Sequence, residues 1–161
     1  SDTMISEEKI KGFRNFANKI WNASRFVLMN IEDLDLKAKA DLTEEDKKDI
    51  GDLEAMTKNI TEDMDNFRFY IAAEKIYHYF WHTFADKIIE ASKEPLKSND
   101  AKIKASAQSK LLLILSTSLK LLHPFMPFVT EEIWSKLPVT PPPPTVADGG
   151  KKLLLVENWP R

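Results

Sequence analysis

Four stretches of this chain repeat one spacing, an apolar side chain every three or four residues. The first holds Phe13, Ala17, Ile20, Val27 and Ile31, centred on Ser24. The second holds Ile50, Leu53, Met56, Ile60, Met64 and Phe67. The third holds Ala73, Ile76, Phe80, Phe84, the stem of Lys87 and Ala91, and the fourth Ile103, Ala107, Leu111, Ile114, Ser118 and Leu121. That is the period of a helix turning one face to a core. Only four glycines, at 12, 51, 149 and 150, punctuate the chain, and 30% of its residues are charged. Both features favour long helices over sheets and turns. The spacing therefore predicts an all-α fold, an antiparallel helical bundle of four longer helices plus a short fifth. At 161 residues, with sixteen aromatics among a 43% hydrophobic content, a single domain with a real core is the default.

The helix ends are marked locally, within residues 6–137. Ser6 can cap the first helix, with Glu7 and Glu8 at the positive end of its dipole. That helix is expected to run to about Ile31. The acidic stretch "EDLDLKAKADL" reads as a connection. Thr43 followed by Glu44, Glu45 and Asp46 is a second helix start. Gly51 is either a mild flaw in that helix or a point of close approach. A break is expected near residues 67–69, and the third helix should end before Pro95. Ser98, Asn99 and Asp100 offer caps for the fourth, which Pro124 should stop at His123. Pro127 suits the first turn of the fifth, up to about Leu137. Beyond it, "PVTPPPPTVADGG" (138–150) reads as an extended surface loop, with a weak signal for a proline-motif ligand. The tail 151–161 is expected to add a short strand or lie across the bundle.

The net charge of −2 hides segregation. Residues 1–31 carry five basic and three acidic side chains, whereas residues 32–66 carry five basic and thirteen acidic. A polyanion should avoid the second segment and tolerate the first, although the whole chain is not basic enough to announce nucleic-acid binding. Absent cysteine excludes disulfides and thiolate metal sites and suits a cytoplasmic protein. The longest wholly apolar run is residues 111–115, far short of a membrane span, so no membrane partner is expected.

No catalytic constellation is visible. His78, His82 and Asp86 share one outward helix face at four-residue steps, a spacing that can bind metal. No fourth ligand is evident, and a solvated face is the simpler reading. His123 suits a helix end, and the adjacent Glu131 and Glu132 diverge around theirs. No glycine-rich phosphate loop is present. The first helix is different, because Phe26 falls opposite its apolar face among Asn15, Lys19, Asn22 and Asn30, with Arg14, Arg25 and Trp21 on the flank. A ring that stacks on an unpaired base, amides that bond its edge and cations that meet phosphate are the inventory of RNA readers. Packing of Phe26 against another element is the alternative.

The same residues carry a family resemblance. "ISEEKIKGFRNFANKIWNASRFVLMN", above all its residues 14–26, resembles the start of the anticodon-binding helical domain of valyl-tRNA synthetases. "LLHPFMPFVTEEIW" (121–134) resembles a motif of the Val, Ile and Leu group of these class I enzymes. "FWHTFADKIIEAS" is similar to the family's third-helix segment through Trp81, Phe84, Asp86 and Glu90, and departs from it at Ala85 and Lys87. "LLLVENWP" resembles the domain's closing Trp-Pro.

The resemblance implies one anticodon-binding domain over residues 1–161 and a monomer that grips the anticodon loop of tRNA(Val). Valine anticodons share A and C at their second and third positions. With the polar stripe of the first helix, the expected tRNA-binding residues are Asn15, Lys19, Asn22, Arg25, Phe26 and Asn30, of which the resemblance itself implies Lys19 and Phe26. Family members activate valine with ATP and magnesium on a catalytic domain with HIGH-like and KMSKS-like signatures. Neither signature is present here, so no catalysis, cofactor or metal is expected of this chain, and the catalytic domain of the parent chain is an implied partner. The alternatives are an isoleucyl or leucyl relative and, in another class, a non-catalytic protein-interaction module.

Overall fold

The computed structural model describes residues 2–138 and residue 160, with side chains from residue 7 onward. Helix α1 spans Asp2–Asn30 and α2 Glu44–Asp65. Helix α3 (Phe69–His78) passes without a break into a π-helical segment, Tyr79–Ile88, and then into α4 (Ile89–Leu96). Helix α5 spans Ala101–Leu122 and the short α6 spans Pro127–Trp134. Counting α3, the π segment and α4 as one rod, these are the four longer helices and short fifth that the periodicity predicts. No strand occurs among the described residues. The proline-rich loop and the tail lie outside them, apart from Pro138 and Pro160. The Pro160 carbonyl accepts the Thr61 hydroxyl at 3.4 Å, on the flank of α2.

Several ends form as the local chemistry requires. The Thr43 hydroxyl accepts the Asp46 N–H at 3.2 Å, and the Asp100 carboxylate accepts that of Lys102 at 2.9 Å. Pro127 opens α6. The α2–α3 turn is a Schellman closure, in which the Arg68 and Phe67 N–H groups donate to the Asp63 and Met64 carbonyls at 2.8 and 3.1 Å. Phe67 adopts the left-handed conformation that this turn needs, at φ 59°. The first helix departs from expectation, because it begins at Asp2, so that Ser6 lies within the helix and not at its start.

The core is continuous across all the rods, with Ile20, Ile60, Phe80, Leu111, Leu115 and Ile133 fully buried. Five expected core positions are exposed instead. Phe13 is 60% exposed, because α1 buries Phe16, Ile20, Ala23, Val27 and Ile31, and nothing is buried from residue 7 to residue 15. Phe67, in the turn, is 79% exposed. Lys87 and Ala91 face outward, and Ala72 is buried in preference to Ala73. The π segment explains the third rod: its wider turns carry the buried positions at four-residue steps through Phe80, Phe84 and Ile88. A 3.6-residue period extended from Phe84 loses register there. Beyond the segment, Ile89, Ser92 and Leu96 are inside, and Pro95 lies within the last turn of α4. In α5, Ile103 is the one stripe position that stays exposed.

Part of the acidic charge of residues 32–66 joins elements of the fold, through Asp33, Asp46, Asp49 and Asp63. Lys110, only 4% exposed, bonds Asp46 at 2.6 Å and Asp49 at 2.9 Å, and Ser106 donates to Asp46. This clasp joins α2 to α5. Burial pushes the Asp46 carboxyl up, but the bonds from Lys110 and Ser106 outweigh it and hold the group below its ordinary range. The Lys110 ammonium is likewise penalised by burial and raised on balance by its two carboxylates. Asp63 takes both Lys75 and Arg68, which hold it low and tie α2 to α3. Asp33 takes Lys104 at 2.7 Å and Gln108 at 2.6 Å, securing the end of α1 to α5.

Candidate nucleic-acid interface

Helix α1 packs along the π segment through an aromatic cluster. The Phe16 ring lies edge-on to Tyr77 at 4.6 Å and to Phe80 at 6.1 Å, and is stacked on Trp81 at 6.1 Å. Above it, the Lys19 ammonium sits 5.1 Å from the centre of the Trp81 ring. Lys19 also bonds the Asp86 carboxylate at 2.7 Å. That bond is the main reason Asp86 is held below its ordinary range. The second Asp86 oxygen is 3.7 Å from His82 Nδ1.

Next to this contact a groove of about 220 Å³ opens between α1 and the third rod. Lys19, Asn22, Ala23 and Phe26 line one side, and Ala85, Ile89 and Lys93 the other. It is smaller than the roughly 300–1,000 Å³ that encloses a drug-sized ligand, and suits a single planar group. Phe26 is half-buried and packed on the core while still lining the groove. Its expected place opposite the apolar face is thus corrected: the true buried face of α1 is turned towards Ala23, which brings Phe26 to its flank.

Three of the six expected residues come together here: Lys19, Asn22 and Phe26. Asn15 and Arg25 are exposed on α1 but do not line the groove. Asn30 is engaged within the fold, since its side-chain amide donates to the Phe26 carbonyl at 2.7 Å and its own carbonyl accepts Gln108 at 2.8 Å. Ala85, Ile89 and Lys93 were missed by the sequence reading. Ala85 and Ile89 lie in the segment of the third-helix resemblance, which does not say which element they face, and Lys93 lies just beyond that segment.

Other surfaces fit a polyanion less well. A cavity of about 790 Å³ between α2 and α5 sets Lys58 against Glu54, Glu62 and Asp65. His78 and His82 stack at 5.6 Å on an exposed face, and no cluster suited to a metal ion occurs among the described residues. His123 bonds Thr130 at 2.9 Å, a structural contact between the end of α5 and α6.

The family model described as the anticodon-binding domain of tRNA ligase matches residues 46–161. The chain is 43% identical over 146 residues to a valine–tRNA ligase of Thermotoga maritima, covering 91% of this chain and 16% of that protein. It is 42% identical to the valine–tRNA ligase of Geobacter sulfurreducens, over 92% of this chain and 17% of the relative. For that of Fervidobacterium nodosum the identity is 46%, over 92% and 16%. The chain thus spans about one sixth of the length of the curated relatives it matches. With a helical bundle throughout the described residues and these matches along most of its length, the chain belongs to the anticodon-binding domain family of the tRNA ligases, in the branch of the valine–tRNA ligases.

Proposed function

We propose that this domain reads the anticodon loop of tRNA(Val) for a valine–tRNA ligase, as a monomeric unit in the cytoplasm, while valine activation with ATP and magnesium belongs to a separate catalytic domain of the parent chain. The observation that carries the reading is the groove, which unites an aromatic ring, an amide and two lysines, with one wall on α1 in the net-basic segment 1–31. A splayed base stacks on Phe26, and Asn22 and Lys19 bond its edge. Arg25, exposed and outside the groove, meets the phosphate backbone. Asn15 lies further along the same helix, towards the next nucleotide.

The test is a binding titration of the chain with a tRNA(Val) transcript and with the same transcript changed at the middle anticodon base. Tighter binding of the unchanged transcript is expected, with competition by valine tRNA exceeding that by isoleucine or leucine tRNA. Equal binding of the two transcripts would overturn the reading.

A further inference from the structure

Both lysines of the groove already have carboxylate partners. Lys19 bonds Asp86 at 2.7 Å, and Lys93 bonds Glu90 at 2.7 Å. The Lys19 pair is the more constrained, because the ammonium also lies over the Trp81 ring, which is itself stacked on Phe16. An ammonium has three donors and no acceptor. Asp86 takes one, the π face of Trp81 stabilises the charge, and further donor capacity remains beside Asn22 and Phe26. A phosphate gains little from such a lysine. Its charge is already matched, and a phosphate would have to displace Asp86 to pair with it. A neutral acceptor atom on a base edge can take a remaining donor with the pair left intact.

We infer that Asp86 is a positioning residue that holds Lys19 as an oriented donor to a base acceptor and keeps it from acting as a phosphate counter-charge. This rests on the groove being the anticodon site. It makes Lys19 a discriminating contact, not an electrostatic one, and it assigns to the π segment the task of delivering the carboxylate to α1. The expected signature is unusual: removing Asp86 should strengthen binding to RNA in general while weakening the choice between anticodons.

The experiment compares the unmodified chain, Asp86→Asn, Asp86→Glu and Lys19→Ala. Each is titrated with the two transcripts at several salt concentrations, and its thermal unfolding is recorded. Each phosphate contact adds about 0.7–0.9 to the slope of log affinity against log salt. Asp86→Asn should steepen the slope by about that amount, tighten binding of both transcripts at low salt, and cut their discrimination at least roughly fivefold, a loss of about 1 kcal/mol. Asp86→Glu should retain the original slope and most of the discrimination. Lys19→Ala should lose discrimination with the slope unchanged. An Asp86→Asn chain with the parent slope and discrimination would overturn the inference. So would one that weakens both transcripts equally in step with a lower melting temperature. If the unmodified chain fails to discriminate, the anticodon reading itself falls, and the inference with it.

Discussion

Phe26 and Phe16 show how different two phenylalanines of one helix can be. Phe16 is 5% exposed at the centre of the aromatic cluster, whereas Phe26 borders the groove. Phe16→Ala should cost about 3–5 kcal/mol of stability. Phe26→Ala should leave most stability in place and weaken tRNA(Val) binding by the roughly 1–3 kcal/mol of a lost base–aromatic stack. Parallel melting and binding curves separate the two, and Phe13→Ala should stay below the ~1 kcal/mol of a typical substitution. Asp46 is the titrating residue to watch. Its carboxyl is held below its ordinary range in the fold, so the stability it contributes is complete above about pH 4 and is lost as pH falls through its lowered value. The chain should therefore lose melting temperature on acidification, and Asp46→Asn should flatten that limb. At neutral pH Asp46→Ala should cost near the low end of the roughly 3–5 kcal/mol expected for breaking a buried pair, since Lys110 keeps Asp49.

At the level of elements, two local features weaken α2. Gly51 lies inside the helix, and a Cβ built on it meets nothing within 4 Å. It is a flaw, not a close approach, and Gly51→Ala should add about 0.5–1 kcal/mol. Phe67 closes the helix in a left-handed conformation that costs a residue with a Cβ about 1–2 kcal/mol. It is exposed, so Phe67→Gly should be neutral or stabilising even with the edge contact to Phe69 gone. Denaturant midpoints at unchanged m-value would check both. The third rod shows the opposite relation between local rule and fold. Its π turns abandon the commonest helical hydrogen-bond pattern so that Phe80, Phe84 and Ile88 reach the core while Asp86 faces Lys19.

On the scale of the whole molecule, charge is sorted by function. Carboxylates of the acidic segment hold α2 to α3 and α5, whereas Arg25 on α1 is exposed and forms no ion pair among the described residues. Arg25→Ala should therefore reduce the salt slope of tRNA binding by about one unit without altering anticodon preference. If valine activation belongs to a separate catalytic domain, as proposed above, valine-dependent exchange between ATP and pyrophosphate should not rise above a no-protein blank.

The helical fold, its four apolar stripes, the caps at Thr43 and Asp100 and the family were legible in the sequence, because each rests on residues close together in the chain. Phe26, Asn22 and Lys19 were singled out on the same basis. What the sequence could not show is what faces them. The rotation of α1 that buries Phe16 and exposes Phe13 depends on where the third rod lies. The shift from Lys87 and Ala91 to Ile88, Ile89 and Ser92 depends on a π turn that core packing selects and no local propensity announces. The pairing of Lys19 with Asp86, 67 residues apart, exists only once the helices are docked. A spacing of three and four determines that a helix has a face; only the tertiary structure decides which way it turns, since that choice is made by partners distant in the chain.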